Sequence, residues 1–88
     1  MAALLQVEVV SRAEHLFSGV ATSVRLPVLD GEVGVLPGRQ PLLAALSTGR
    51  VELKGTDGKT HVIEVEGGFV SVDSDFVTVA TERGTVTA

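Results

Sequence analysis

The residues of this chain that could do chemistry are few, and their spacing decides against most of it. Gly55-Thr56-Asp57-Gly58-Lys59-Thr60 contains the Gly-Lys-Thr that closes a phosphate-binding loop. Such a loop also needs a glycine five positions before Gly58, where this chain has Leu53, and a helix must follow. Residues 60–65 are β-branched and alternating instead, so the segment reads as a hairpin turn. His15 and His61 are the only imidazoles, and there is no cysteine. A nucleophilic triad needs a base, a nucleophile and an orienting acid that converge, and a metal site usually takes three or four ligands. Two histidines on separate strands meet neither need, and His61 reads as a strand residue with its tip at the surface. The carboxylates are scattered along the outward phase of alternating strands, which supports no acid–base pair. Catalysis, a cofactor and a metal are therefore not expected.

Glu32 stands apart because it follows Asp30-Gly31 at a turn between two apolar strands. On residue type alone it is a solvated turn acid. The wider composition narrows the remaining roles. Eleven acids against seven bases leave a net charge of −4, and the bases are dispersed without aromatic neighbours. Nucleic acid would require a basic face and stacking platforms, so that partner class is excluded. No apolar run reaches the ~18–20 residues that span a bilayer, and residues 1–5 lack the basic start and long apolar region of a leader. A soluble chain is expected, with no direct membrane insertion, and a cytoplasmic location fits.

The elements that must hold these residues are short strands. With 88 residues one domain, 1–88, is expected, burying roughly 60–65% of its unfolded surface. Leu5, Val7 and Val9 alternate with Gln6, Glu8 and Val10. Val20, Thr22, Val24, Leu26 and Val28 alternate with Ala21, Ser23, Arg25 and Pro27, as one strand with one buried face. Val51 and Leu53 point inward if Arg50, Glu52 and Lys54 point out; Ile63 and Val65 share a face with His61, opposite Glu64 and Glu66. Turn signals separate the runs at Asp30-Gly31, Asp57-Gly58, Gly67-Gly68 and Asp73-Ser74-Asp75. Asp57-Gly58 predicts a two-residue hairpin of type I′, which needs positive φ at both central positions. Residues 42–46 have helical composition but lie between Pro41 and Gly49, too short for a stable isolated helix, and are expected to be extended. Gly84 is expected to interrupt the last β-branched run. Without Trp or Tyr, the core is expected from Val, Leu, Ile and Ala, with Phe17, Phe69 and Phe76 as its large fillers. Phe69 in particular, following Gly67-Gly68, is expected inside. Short strands at this spacing without alternating helices predict an all-β sandwich or barrel.

Three motifs, in order, carry a more specific signal. Val9-Val10-Ser11 is followed by Leu16-Phe17-Ser18-Gly19. Gly31-Glu32-Val33-Gly34-Val35 runs into Pro37-Gly38-Arg39-Gln40-Pro41-Leu42-Leu43. Gly67-Gly68-Phe69 precedes Val77-Thr78-Val79. Together these resemble the epsilon subunits of F-type ATP synthases over nearly the whole chain. The resemblance implies that family's N-terminal domain, a flattened β-sandwich of about ten short strands in two sheets. It also implies a non-catalytic place in the central stalk, with the gamma subunit and the membrane ring as partners. Asp30, Gly31, Glu32 and Val33 would then meet the polar loops of the ring, whose basic residue offers the Glu32 carboxylate a charge partner. Ser11 corresponds to the serine on the flank that faces gamma. Arg39 and Leu42 would contact gamma or the ring, with Arg39 standing where the family usually has His. A permanently charged guanidinium removes any pH-sensitive contact that the imidazole would carry. The helical hairpin that brakes hydrolysis in the family, and in some members binds ATP, has no counterpart in residues 78–88, so neither activity is expected. The competing reading is a free-standing β-sandwich module for a peptide or small ligand, which would normally display aromatic anchors.

Overall fold

The computed structural model describes residues 3–87. Met1 and Ala2, which begin the segment read for a leader, and Ala88, which ends the terminal run, lie outside the described residues. Ten strands follow one another: β1 (Leu5–Ser11), β2 (His15–Ala21), β3 (Ser23–Val28), β4 (Gly31–Val35), β5 (Leu42–Ala45), β6 (Gly49–Lys54), β7 (Thr60–Glu66), β8 (Phe69–Asp73), β9 (Phe76–Thr81) and β10 (Arg83–Val86). They form a β-sandwich. Sheet I has the order β2-β1-β9-β8-β5 and sheet II the order β10-β7-β6-β3-β4. Every pairing is antiparallel except β1 with β9, which run parallel in the register Val7↔Val77 and Val9↔Val79. No helix of the described residues is long and apolar enough to cross a membrane.

Alternation decides which side chains enter the space between the sheets. Leu5, Val7 and Val9 from β1, Val51 and Leu53 from β6, and Ile63 and Val65 from β7 are all buried, while their polar neighbours point away. Burial of such aliphatic side chains contributes about 1.5–3 kcal/mol each, before the cost of ordering them. Residues 42–45 are extended as expected, and Leu46 continues into an isolated bridge with Val28.

The phenylalanines do not fill the core. Phe69 is 60% exposed and Phe76 is 44% exposed, while Phe17 is half-buried at the margin, its ring 5.4 Å from that of His61. The reason is phase. Val70 and Val72 on β8, and Val77 and Val79 on β9, occupy the inward positions, which sends Phe69, Ser71, Phe76 and Thr78 to the other face. The largest fully buried side chains are therefore Leu5, Leu26, Leu53 and Ile63.

Residues 20–28 are not one strand. The chain passes from sheet I to sheet II at Thr22, whose amide and hydroxyl both donate to the Lys54 carbonyl, at 2.7 and 3.1 Å. Ala21 is buried in sheet I and Val24 in sheet II, an odd separation, so the inward phase flips across the corner and Val20 turns out. The Asp57-Gly58 hairpin joins β6 to β7, but Asp57 does not take positive φ. The Gly58 amide donates to Gly55 O (3.2 Å), Gly58 alone has φ +81°, and the Gly55 amide donates to Lys59 O (2.9 Å). This is a three-residue loop with glycine at the left-handed position. Both central residues are left-handed at the β8–β9 turn instead, with Ser74 at φ 51° and Asp75 at φ 64°. Gly84 does not interrupt the last strand. It lies within β10, where a Cβ would strike the Leu16 side chain. Thr81, buried at the passage into β10, accepts a hydrogen bond from the Glu66 amide (3.2 Å) and directs its hydroxyl at the carbonyls of Arg83 and Gly67, 2.8 and 2.9 Å away.

Candidate functional site

At one edge of sheet II, β3 and β4 are joined through Leu29 and Asp30, with Val28 opposite Gly31 and Pro27 opposite Glu32. Gly31 completes the reversal at φ +126°, a conformation that L side chains rarely adopt. Asp30, Gly31 and Glu32 are exposed, and Leu29 projects beside them with 71% of its surface in water. The Val28–Leu46 bridge and the hydrogen bond from the Ser47 amide to Pro27 O (3.1 Å) tie the end of β5 to this edge. An open apolar depression of about 370 Å³ results, lined by Val28, Leu29, Asp30, Val33, Leu42, Ala44 and Ala45. The fold thus brings Asp30, Val33 and Leu42 together, although Leu42 is in the other sheet. Among the described residues, neither Asp30 nor Glu32 has a cation at ion-pair distance.

Ser11 ends β1 at a different corner. Its hydroxyl accepts from the amides of Ala13 (3.3 Å) and Glu14 (3.2 Å), and its own amide donates to Glu14 O (2.9 Å). The side chain therefore shapes the β1–β2 turn, which is what an ordinary turn serine does. Beside it Arg12 and Glu82 form an exposed ion pair of 3.6 Å. A second, shallower depression joins Ser11 to Val10, Phe69 and Ala80.

These corners are linked by a row of residues that the sequence reading missed. Across sheet I the register pairs Val10 with Ala80, Ala80 with Phe69, and Phe69 with Ala45. All four lie on the outward phase. The row begins next to Ser11 and ends at Ala45, which lines the Asp30 depression. The available signal was parity: Phe69 keeps step with Ser71 and Asp73, both polar. Leu29, an aliphatic residue at a turn tip, was a second overlooked signal.

Arg39 joins neither depression. It is exposed on the connection between β4 and β5, directly after Gly38, whose φ is +87° and whose amide donates to the Asp75 carboxylate at 2.7 Å. The arrangement has no acid–base pair or nucleophile, and no group of three or more potential metal ligands converges among the described residues. What it can do is hold a partner, through an outward apolar row with charged or polar groups at its ends.

Comparison with known proteins agrees with that architecture. The family described as ATP synthase, Delta/Epsilon chain, beta-sandwich domain matches residues 4–86. The ATP synthase epsilon chain of Micrococcus luteus is 45% identical over 76 residues, covering 86% of this chain and 84% of that one. The epsilon chain of Streptomyces avermitilis is 46% identical over 71 residues, covering 81% of this chain but only 57% of its own length. This chain thus spans little more than half of some relatives. Among solved structures, a chain of the Euglena gracilis mitochondrial ATP synthase (OSCP/F1/c-ring) superposes with a TM-score of 0.89 at 23% identity. The match covers 96% of this chain and 54% of that one, and it establishes likeness of fold.

Proposed function

The chain belongs to the delta/epsilon β-sandwich family of ATP synthases, and from that membership we propose that it is a non-catalytic subunit of the rotor's central stalk. It joins the gamma subunit to the membrane ring on the cytoplasmic side and carries rotation between the ring and the catalytic head. The observation that carries this reading is the outward row Val10–Ala80–Phe69–Ala45, which borders Ser11 at one end and the Asp30 depression at the other. An exposed phenylalanine in a row of small aliphatic side chains is the composition of an interface centre, where burial supplies most of the binding energy.

In this reading gamma covers the Phe69 row and the Ser11 corner. The exposed carboxylates of Asp30 and Glu32 reach the basic residues of the ring loops, with Leu29 as an apolar lip beside them. Charges at such a rim steer orientation more than they add affinity. Torque then passes through a body whose two sheets are each hydrogen-bonded across their width and interlocked by buried aliphatic side chains.

The test is site-specific cross-linking in assembled enzyme. A photoreactive group at position 69 should capture gamma, and one at position 32 should capture the ring subunit. Capture of neither, together with saturable binding of a peptide or small ligand by the isolated chain, would replace the stalk role with a free-standing binding module.

A further inference from the structure

We propose that Asp75 is a positioning residue that presets the Pro37-Gly38-Arg39 connection for partner docking. The inference rests on the stalk reading and takes gamma as the partner that Arg39 meets. Asp75 lies in the β8–β9 turn of sheet I, whereas Arg39 lies on the passage from β4 in sheet II to β5 in sheet I. The two segments are joined by the hydrogen bond from the Gly38 amide to Asp75 Oδ1, 2.7 Å, across a sequence separation of 37 residues.

At position 75 the turn accepts Asp, which tolerates a left-handed backbone, but does not require its carboxylate. Asp75 and Ser74 both hold left-handed φ, and glycine would occupy either position with less strain. The turn itself needs only the backbone there: Asp75 O accepts from the Gln6 amide at 2.8 Å, which any residue could do. The carboxylate adds something the turn does not use, namely an ionised acceptor for an amide in another connection. Hydrogen bonds to an ionised acceptor are stronger than neutral ones. Gly38 in turn takes φ +87°, and a Cβ there would meet nothing within 4 Å, so its glycine serves the backbone conformation rather than a close approach. Adjacent to that amide, Arg39 extends into water without an ion-pair partner among the described residues. A loop held in one conformation before binding loses less entropy when its arginine is captured, which is the gain from preorganisation.

Two substitutions separate the carboxylate from the turn. Asp75→Gly relieves the left-handed strain but removes the acceptor, and Asp75→Asn keeps an oxygen acceptor and tolerates the same φ. We expect Asp75→Gly to melt no lower than the parent while exchange of the Gly38 amide accelerates by about tenfold or more. Affinity for the gamma subunit should fall by about tenfold, close to the effect of Arg39→Ala, as loop ordering is charged to binding. Asp75→Asn, which keeps a neutral acceptor, should fall between Asp75→Gly and the parent in both. Unchanged exchange at Gly38 in Asp75→Gly would overturn the clamp. Faster exchange with parental affinity, when Arg39→Ala does weaken binding, would overturn the positioning role. If Arg39→Ala also binds as the parent does, the assignment of Arg39 fails and the proposal with it. A parent chain that does not bind gamma at all would instead overturn the stalk reading.

Discussion

The outer faces of the two sheets are built on opposite terms. On sheet II the register places Arg25 opposite Glu52, Arg50 opposite Glu64 and Arg83 opposite Glu66, so three arginines each face an acid on the next strand, while Lys54 lies opposite Ser23 and Thr60. Opposite charges facing across a ladder favour this register, and the face presents mainly charged and polar groups to water. On sheet I the corresponding positions carry Phe69, Phe76, Leu43, Val20 and Ala80, with Glu8 and Asp73 as the carboxylates among them. The same core supports both. A domain that needed only to stay folded would have little use for the second arrangement, since outward apolar surface adds nothing to its own burial. Sheet II presents charge to water, whereas in the stalk reading sheet I is the face that gamma covers.

The largest effect expected from breaking this contrast lies beneath it. Ile63→Ala, in the core common to both faces, should cost about 2–5 kcal/mol in denaturant unfolding, as cavity formation in cores generally does. A cost near zero would mean that the sheets do not share one core. Next comes Phe69→Ser, which should leave the chain's own stability within roughly 0.5 kcal/mol while weakening gamma binding by about 2 kcal/mol or more. A large loss of stability with unchanged affinity would return Phe69 to the interior. On the opposite face, Arg50→Glu sets two acids against each other across β6 and β7. It should destabilise by about 0.2–1 kcal/mol and leave affinity for gamma unaltered, which calorimetry of the complex would measure. A marked fall in affinity would show that sheet II is also covered. The smallest change in folding belongs to Glu32→Ala, within roughly 0.5 kcal/mol of the parent. Its effect should appear in the assembled enzyme as weakened ATP-driven proton pumping. Because the contact is at a rim, the difference from wild type should shrink as salt rises, with screening acting over about 8 Å at 0.15 M.

Much of this was legible from residue order, and the failures have particular physical causes. Strands β1, β6 and β7 alternate cleanly and carry one face each, so their buried residues could be named in advance. Residues 20–28 alternate just as cleanly, but alternation does not register a change of sheet, and Thr22 resets the phase without breaking the pattern. Phe69 was placed inside because aromatics are scarce here, when its step with Ser71 and Asp73 argued the reverse. The gathering of Asp30, Val33 and Leu42, and the Gly38–Asp75 bond, depend on which strands become neighbours. Local pattern holds no information of that kind. The three motifs that resemble epsilon subunits decided for a two-sheet sandwich where periodicity alone left sandwich and barrel open, and they said nothing of strand order.

The parallel pairing of β1 with β9 sets the order in which the molecule can be made. β3, β4, β6 and β7 are contiguous or nearly so, and their hairpins can pair while later residues are still being synthesised. β1 gains its central-sheet neighbour only after Thr81 has emerged, some seventy residues later by the register Ser11↔Thr81. Contacts of such separation are formed late and slowly, because a long loop must close before any of them is gained. Sheet I thus gains its parallel pairing late, with only β10 of sheet II still to follow, and until then the β1–β2 hairpin has open backbone groups along β1. Such edges invite wrong pairings at high concentration.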